Sequence, residues 1–133
     1  MQWSDAPGAG FTTTEPWLPL AEDFAAVNVR CQLGDPSSLL SFYRRVIWYR
    51  KRSDALLRGT YRPLDGPADT FVYLREHRDH RLLVALNFGE EARRIGLPSP
   101  GSGRIELSTD PQSAGAVTGS VDLGPVEGLV IAL

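Results

Sequence analysis

The side chains best suited to acid–base chemistry are the carboxylates that occur in pairs, at Glu22-Asp23 and at Glu90-Glu91. Two carboxyl groups held about 5–5.5 Å apart can serve as acid and nucleophile in one reaction. Adjacent residues in an extended segment point to opposite faces, so Glu90 and Glu91 do not form such a pair. We interpret both pairs as solvated turn or loop residues, and the spacing of the carboxylates predicts no catalytic residue.

Metal binding is a second chemistry for which the sequence offers ligands. His77 and His80 flank Asp79, but no cysteine or further histidine is available to complete a coordination sphere. The segment is more typical of a polar hairpin turn. Cys31, the only cysteine, has no base near it in sequence and is interpreted as a buried or inert thiol. We therefore predict no metal site, and no glycine-rich phosphate motif indicates a cofactor.

Three tryptophans and a basic stretch are the remaining candidates for binding. The indole rings of Trp3, Trp17 and Trp48 are large apolar platforms of the kind that stack on sugar rings. Trp48 lies beside the apolar stripe of a predicted helix and is expected to be a packing residue instead, while Trp3 and Trp17 stay open as binding residues. The basic residues between positions 44 and 62 are expected to form the solvated side of a helix.

Length and composition limit what the chain can be. Its 133 residues suit one domain of ordinary size, whereas a complete (β/α)8 barrel needs about 250 residues. The net charge of −2 argues against a general nucleic-acid-binding protein. No run of about 18 apolar residues predicts a membrane-spanning helix, and residues 1–5 do not have the pattern of a secretory signal. A cytoplasmic location is therefore expected, in agreement with the single cysteine.

The first part of the chain is predicted to be an irregular segment followed by one strong helix. Prolines and glycines interrupt residues 1–34, yet this segment carries several aromatic and apolar side chains that need a packing partner. Residues 36–52 have apolar side chains three and four positions apart, as is typical of a helix. Asp35 is expected to cap that helix. A short helical turn beginning at Asp54 and closed by Gly59 should follow.

From residue 60 onward the apolar pattern changes to a period of two, which is typical of strands. Within this region the side chains of Leu82, Val84, Leu86 and Phe88 are predicted to form the inward face of one strand. The predicted strands are 60–64, 70–76, 81–88, 92–97, 104–108, 117–123 and 126–133. Seven short strands separated by turn signals predict an antiparallel sandwich or barrel. The predicted fold class is thus mainly β, with one α-helix before the sheet.

Several stretches of the sequence resemble a single protein family. They are Met1-Gln2-Trp3, residues 5–12, residues 15–19, Asn28-Val29, residues 35–40, residues 42–47, Arg50-Lys51-Arg52, residues 59–62, residues 83–88 and residues 128–131. Together they are similar to the end of the catalytic barrel and the domain that follows it in α-glucosidases of glycoside hydrolase family 13, in the oligo-1,6-glucosidase-like branch. The resemblance covers essentially the whole chain and is most specific in its first third.

The resemblance implies a division of the chain and a role for it. Residues 1–58 would be the last loop and helix of a (β/α)8 catalytic barrel, and residues 59–133 an antiparallel β-sandwich of the α-amylase C-terminal type. In such enzymes the catalytic carboxylates precede this segment, so the chain is expected to be structural and inactive alone. Gln2 and Trp3 would belong to the loop after the eighth strand, and loops on that side of a barrel form its active site. Both are therefore expected to lie near the substrate, whereas Ser4 replaces an Asp that the family often has.

The same resemblance implies the partners of the chain. They are the remainder of the catalytic barrel, the oligosaccharide substrate of the parent enzyme, and a second copy of the chain bound through the exposed aromatic N-terminal segment. No cofactor, nucleic acid or membrane is expected as a partner. The aromatic side chains of residues 1–30 should be exposed, or buried only in an oligomer. Two alternatives stay open: a stand-alone β-domain that binds a carbohydrate or a protein, and the same segment of a sucrose isomerase or trehalose synthase.

Overall fold

A computed structural model describes the whole chain, residues 1–133, which divides into two compact units, Met1–Ile47 and Trp48–Leu133. The helical segments are a 3₁₀ turn at Pro7–Gly10, α1 (Val29–Leu33), α2 (Leu39–Arg52) and α3 (Asp54–Arg58). The strands are β1 (Thr60–Leu64), β2 (Thr70–His77), β3 (His80–Asn87), β4 (Arg93–Gly96), β5 (Ser102–Ser108), β6 (Gly115–Thr118), β7 (Ser120–Leu123) and β8 (Gly128–Ala132). No helix has the length and the hydropathy that crossing a membrane requires.

The segment predicted to be irregular contains one short helix, α1, that the sequence pattern did not indicate. Its five residues are too few to show a helical period of apolar side chains. The helix begins after Asn28, whose side-chain oxygen accepts a hydrogen bond from the backbone N–H of Cys31 at 3.0 Å. Helix α1 therefore depends on this cap and on its tertiary contacts, because a helix of this length is not stable by itself.

Helix α2 begins three residues later than predicted, because Ser38 rather than Asp35 caps it. The Ser38 hydroxyl oxygen accepts from the backbone N–H of Ser41 at 3.2 Å, while the Ser38 carbonyl accepts from Phe42 at 2.9 Å. The Asp35 carboxylate instead accepts from the backbone N–H and the hydroxyl of Ser37, at 2.8 and 2.6 Å. These two bonds lower the pKa of Asp35 and make it the start of a turn that precedes the helix.

The apolar side of helix α2 has no complete cover. None of its 14 residues is buried. Leu39, Tyr43 and Ile47 follow one another at intervals of four and are all exposed, so they form one row along the helix, here called the α2 row. Trp48, which was expected to pack, is 52% exposed, and its ring lies 5.1 Å from the ammonium group of Lys51. The packing prediction for Trp48 is therefore wrong.

Helix α3 is tied to strand β2 through one arginine. The Arg75 guanidinium donates to the carbonyl oxygens of Ala55, Leu56 and Gly59 at 3.1, 3.2 and 2.9 Å. Gly59 ends the helix as predicted, but with φ of −66° rather than in a left-handed conformation. Glycine is needed at this position because the Cβ atom of any other residue would collide with the carbonyl oxygen of Ala55.

The strands form one antiparallel sheet of eight in the order β1-β2-β3-β8-β5-β6-β7-β4. The predicted hairpin at residues 77–80 is present between β2 and β3, where His77 pairs with His80. The strand predicted at 117–123 is divided into β6 and β7 by Gly119, which has φ of +74°. This left-handed residue reverses the chain, so the sheet has eight strands instead of the seven predicted.

The hydrophobic core lies between the two halves of this sheet. Side chains from β2, β3 and β8 pack against side chains from β4 and β7, although these strands lie in different parts of the strand order. The buried core residues are Val72, Leu74, Leu83, Ala85, Ile95, Val121, Leu123, Leu129 and Ile131. The sheet therefore folds over on itself, and the predicted antiparallel sandwich is confirmed.

Strand β3 is buried on both faces, which the period-two pattern did not reveal. Leu83 and Ala85 face the core, whereas Leu82 and Val84 are buried on the opposite face, the side on which α3 contacts β2 and β3. Phe88 lies beyond the strand and is 68% exposed. The prediction that one set of alternate residues forms the inward face of β3 is therefore wrong. A central strand that is covered on both sides does not alternate between apolar and polar side chains.

The outer face of the sheet carries a small aromatic cluster. The ring of Tyr73 lies 5.2 Å from the ring of Tyr61 and 5.3 Å from that of Phe71. Burial raises the pKa of Tyr73. Burial also raises the pKa of Tyr49, at the end of α2, to about 12, and the negative charge of Glu106 on β5 adds to this effect. The neutral form of both phenols is therefore favoured in the folded chain.

Candidate functional site

The candidate site lies in the first unit, where residues 1–28 form a closed loop, here called the N-terminal loop. The carbonyl oxygen of Ala9 accepts from the backbone N–H groups of both Trp3 and Ser4, at 2.8 and 3.2 Å. Ala9 is completely buried and has φ of +52°. Gly10 follows with φ of +72°, and a Cβ atom there would lie 2.5 Å from the Ser4 hydroxyl oxygen. Only glycine fits this closure without strain.

Helix α1 holds the same two residues from the other side. The carbonyl oxygens of Gln2 and Trp3 accept from the first backbone N–H groups of the helix, those of Val29 and Arg30, each at 3.0 Å. Free N–H groups at a helix N-terminus need such acceptors. The side-chain nitrogen of the buried Asn28 also donates to two carbonyl oxygens of the N-terminal loop, at 3.0 and 3.2 Å. Gln2 and Trp3 are therefore fixed by their backbone.

A cavity of about 420 Å³ opens beside Gln2. Its lining residues are Met1, Gln2, Phe11, Pro16, Trp17, Leu18, Pro19, Leu20 and Ala21. No lining side chain carries a charge, and the hydrogen-bonding side chains are the Gln2 carboxamide and the Trp17 indole, which has a single N–H donor. The Gln2 side-chain nitrogen is buried and has no hydrogen-bond partner. The cavity therefore combines apolar walls with one carboxamide whose donor is unused, and its volume lies in the range of about 300–1,000 Å³ typical of small-molecule sites.

Three of the four aromatic residues of the N-terminal loop are exposed, as predicted, whereas Phe24 is half-buried. Trp17, in the cavity wall, is 92% exposed, while Trp3 and Phe11 are 51% and 46% exposed. Of the two residues expected near a substrate, Gln2 lines the cavity and Trp3 does not. The cavity wall from Pro16 to Ala21 was not predicted as a site. The sequence signal for it is an apolar run bracketed by two prolines, which by itself is equally typical of packing.

The other candidate residues lie away from this cavity. Glu22 and Asp23 lie in a turn, and Glu90 and Glu91 lie in the bend between β3 and β4, as predicted. Arg93 donates to the Glu91 carboxylate at 2.8 Å and lowers its pKa. Cys31, expected to be buried or inert, is exposed. His77 and His80 pair across the hairpin, and no three potential ligands lie close enough to hold a metal ion.

The site contains no catalytic pair of carboxylates. The kind of protein to which the site belongs is therefore indicated by the family of the chain. Residues 1–59 match the model of the α-amylase catalytic domain, and residues 64–130 match the domain named DUF3459. The chain belongs to glycoside hydrolase family 13, the α-amylase family. The resemblance identified from the residues is thereby confirmed. The N-terminal loop and α2 lie within the residues that match the catalytic domain. Most of the sheet lies within the residues that match the domain after it.

Individual relatives in the family have names that indicate different functions, a glucosidase in one case and a transporter subunit in another. The probable oligo-1,6-glucosidase 2 of Bacillus subtilis is 41% identical over 93 residues, which cover 68% of this chain and 16% of the relative. The amino acid transporter heavy chain SLC3A1 of Rattus norvegicus is 38% identical over 141 aligned positions, 98% of this chain and 21% of the relative. The chain therefore spans about a fifth of the length of these relatives.

Solved structures in the family share the fold of the whole chain. The isomaltulose synthase of Klebsiella sp. LX3 superposes with a TM-score of 0.86 at 28% sequence identity, covering 98% of this chain and 24% of that enzyme. The likeness extends over the N-terminal loop, the helices and the sheet. An arrangement of this kind, a catalytic-domain end followed by a sheet domain, is thus present in a known enzyme of the family.

Proposed function

We propose that the chain is the C-terminal segment of an α-glucosidase that hydrolyses α-glucosidic bonds of oligosaccharides by a retaining mechanism. The observation that carries the proposal is the match, in one chain and in this order, to the α-amylase catalytic domain over residues 1–59 and to DUF3459 over residues 64–130. The likeness to an oligo-1,6-glucosidase supports the reaction and the class of substrate. Residues 1–58 are then the end of the catalytic barrel and residues 59–133 the sandwich domain.

In this proposal the chain positions the active site and does not react itself. Retaining hydrolysis needs an acid and a nucleophile, both carboxyl groups, and no carboxylate lines the cavity of the N-terminal loop. The carboxylates belong to the preceding part of the barrel. Gln2 and Trp3 are the substrate-proximal residues of this segment, held by Ala9 and by the first turn of α1. No cofactor or metal is part of the mechanism.

The remainder of the catalytic barrel is the proposed partner. The α2 row is exposed along its length, and three aromatic side chains of the N-terminal loop are exposed as well. Burying such side chains yields about 25 cal/mol for each Å² removed from water. The preceding part of the barrel would supply this cover. A second copy of the chain is the alternative partner for these exposed side chains. Sedimentation of the purified chain at several concentrations tests this alternative, because a dimer would show an apparent mass that rises with concentration.

Complementation of a truncated relative tests the proposal. The B. subtilis oligo-1,6-glucosidase is expressed without the segment that matches this chain, and p-nitrophenol release from p-nitrophenyl α-D-glucopyranoside is measured with and without the 133-residue chain. We expect no release by either part alone and release by the two together. Release by the chain alone, or a folded chain that restores nothing, would contradict the proposal.

Two other functions are open, and one observation favours the first whereas another counts against the second. The isomaltulose synthase favours an isomerase as the parent enzyme. Sucrose given to this chain joined to the preceding barrel of its own parent enzyme distinguishes the two, because hydrolysis yields glucose and fructose whereas an isomerase returns a disaccharide. The second function is a stand-alone carbohydrate-binding domain, for which the aromatic cluster of Tyr61, Phe71 and Tyr73 is the candidate surface. Its rings are tilted by 43° and 49° to one another, so they do not form one flat platform for a sugar.

A further inference from the structure

One side of helix α2 carries a single indole ring surrounded by four cations. Trp48 lies at the centre, and the side chains three and four positions away in either direction are its direct neighbours on the helix surface. Those four neighbours are Arg44, Arg45, Lys51 and Arg52. All five residues are exposed. They are called here the basic face of α2.

The four cations of the basic face have no anionic partner within the chain. Elsewhere, six arginines each lie within 4.0 Å of a carboxylate: Arg30, Arg58, Arg62, Arg81, Arg93 and Arg94. No carboxylate lies that close to the basic face, and α2 itself contains no acidic residue. The Arg45 guanidinium donates to the carbonyl oxygen of Pro36 at 2.6 Å, but a neutral acceptor leaves its charge unbalanced. The basic face is therefore a patch of uncompensated positive charge.

Two general roles of basic residues explain only part of this face. Cations in the last turn of a helix favour its negative dipole end, which accounts for Lys51 and Arg52. Arg44 and Arg45 lie about two turns earlier, where the dipole has little effect. A surface that serves solubility mixes both signs of charge and exposes few tryptophans. Here the half-exposed ring of Trp48 lies 5.1 Å from the Lys51 ammonium and 5.9 Å from the Arg52 guanidinium carbon. Tryptophan and arginine together are typical of the centre of a protein interface.

The basic face points away from the side of α2 that the preceding part of the barrel would cover. Tyr43 is the middle residue of the α2 row, and an ideal helix turns by about 140° between Tyr43 and Trp48. The half-buried Val46 lies about 160° from Trp48 around the same axis. A barrel packed on the α2 row therefore leaves the basic face in solvent, where another partner can reach it.

The size and the charge of the basic face fit a short acidic segment of a protein. Arg44 and Arg52 are about 12 Å apart along the helix axis, a length that about four residues of extended chain span. A nucleic acid or a membrane is more extensive and would also approach the carboxylates of a chain with a net charge of −2, which repel it. A membrane would in addition find only one apolar side chain to insert, Trp48, where an interfacial helix offers a whole apolar face.

We propose that the basic face of α2 binds an acidic segment of a partner protein. The carboxylates of that segment pair with the four cations, and an apolar side chain between them packs on Trp48. Guanidinium groups suit this role because each can bind a carboxylate through two parallel hydrogen bonds. Attraction between exposed charges is screened by salt, so the binding depends on ionic strength. The inference is separate from the proposed function, because it uses neither Gln2 nor Trp3.

Titration of the 133-residue chain with an acidic peptide tests the proposal. The probe is a five-residue peptide with blocked ends and one leucine between two pairs of glutamates, and the comparison peptide has glutamine in place of each glutamate. The Trp48 indole N–H signal is followed by NMR. We expect a saturable shift with a dissociation constant of about 1 mM at low salt. Binding should be at least about fivefold weaker at ~0.5 M salt. An unmoved Trp48 signal, or equal binding of the neutral peptide, would overturn the proposal.

Substitutions locate the binding surface. Arg44→Gln and Arg52→Gln should each weaken peptide binding about threefold, and the double variant about tenfold. Trp48→Ala, followed at the backbone amides of α2, should also weaken it about threefold. Arg104→Gln is the matched control, because Arg104 is exposed and lies on β5, outside the basic face. Circular dichroism verifies that each variant is folded. An equal loss in Arg104→Gln and Arg52→Gln would assign the binding to overall charge and refute the basic face.

Two further ligands test the class of partner. Vesicles of phosphatidylcholine with phosphatidylserine, and a single-stranded oligonucleotide, are titrated at the same salt and at the same concentration of negative charge as the acidic peptide. We expect both to bind more weakly than the peptide, because the carboxylates elsewhere in the chain repel an extended anion. Tighter binding of either, lost in the double variant of Arg44 and Arg52, would mean that the basic face serves a membrane or a nucleic acid, and the proposal would be wrong.

Discussion

The backbone N–H of Trp3 lies 2.8 Å from the carbonyl oxygen of Ala9, and this hydrogen bond closes the N-terminal loop beside the cavity. Ala9 accepts a second bond from Ser4 at 3.2 Å, so one carbonyl group fixes the chain on the C-terminal side of Gln2. An acceptor with two lone pairs can serve two donors in this way. The position of Gln2 therefore depends on the unusual backbone of Ala9 and Gly10, both of which have positive φ.

The first prediction concerns this closure. Gly10→Ala adds a Cβ atom in a left-handed conformation, at about 1–2 kcal/mol, and places it 2.5 Å from the Ser4 hydroxyl oxygen. We expect faster amide hydrogen exchange at Trp3 and Ser4. Gly101→Ala is the matched control, since Gly101 has a similar φ of +78° and open space around it. Unchanged exchange at Trp3 in Gly10→Ala would show that the closure tolerates the methyl group.

A second prediction concerns the side chain of Asn28. Asn28→Ala removes the cap of α1 and two donors to loop carbonyls, and should lower the free energy of unfolding of the first unit by about 2–3 kcal/mol. Ser53→Ala, which removes the single cap bond of α3, should cost about 1 kcal/mol. Denaturant titration followed by circular dichroism measures both. An equal cost for the two variants would mean that the loop bonds of Asn28 contribute nothing.

The third prediction concerns Arg75, which spans three carbonyl groups at the end of α3. Arg75→Lys keeps the charge but cannot reproduce the fork of a guanidinium. We expect a loss of about 2 kcal/mol in the free energy of unfolding. Arg58→Lys changes an exposed ion pair in which the Arg58 guanidinium lies 4.0 Å from the Asp54 carboxylate. The free energy of unfolding of this variant should stay within about 0.5 kcal/mol of that of the original chain. Thermal unfolding of the two variants side by side would reveal any departure from this order.

A fourth prediction follows from the raised pKa of Tyr49. Burial raises this pKa to about 12 from an ordinary value of 10.0, so the phenolate is more favourable in the unfolded chain. The contribution of Tyr49 to stability is complete below pH 10 and is lost as the pH rises from 10 through 12. Tyr49→Phe should remove this part of the alkaline destabilisation and one late step of the tyrosinate absorbance titration. An identical alkaline loss in Tyr49→Phe would assign the effect to other groups.

Much of the sheet was predictable because strand periodicity is a local property of the sequence. Strand β1 was predicted at its observed bounds, 60–64, and the other boundaries shift by one or a few residues. The start of α2 was predicted wrongly because Asp35 and Ser38 are both good caps, and only the fold selects between them. The inward face of β3 was missed because helix α3 covers its second face, which is a tertiary contact and leaves no local pattern.

The candidate site was predictable only in part. Gln2 was identified through family resemblance, since one glutamine has no signature of its own. Trp17 lies 15 positions further along an irregular segment, and no period relates two residues across such a loop. Their approach depends on the closure at Ala9 and on α1, and α1 is too short to be recognised from the spacing of its side chains.

The strand order leaves β1 and β4 as the two borders of the sheet. Each border is poorly suited to accept another strand: β1 contains Pro63, which has no N–H to donate, and β4 has only four residues, of which Arg93 and Arg94 are charged. Growth of the sheet from molecule to molecule is therefore hindered at both ends. If copies of the chain associate at high concentration, they should do so through exposed apolar side chains and without a gain of β-structure, so the assemblies should not bind amyloid dyes.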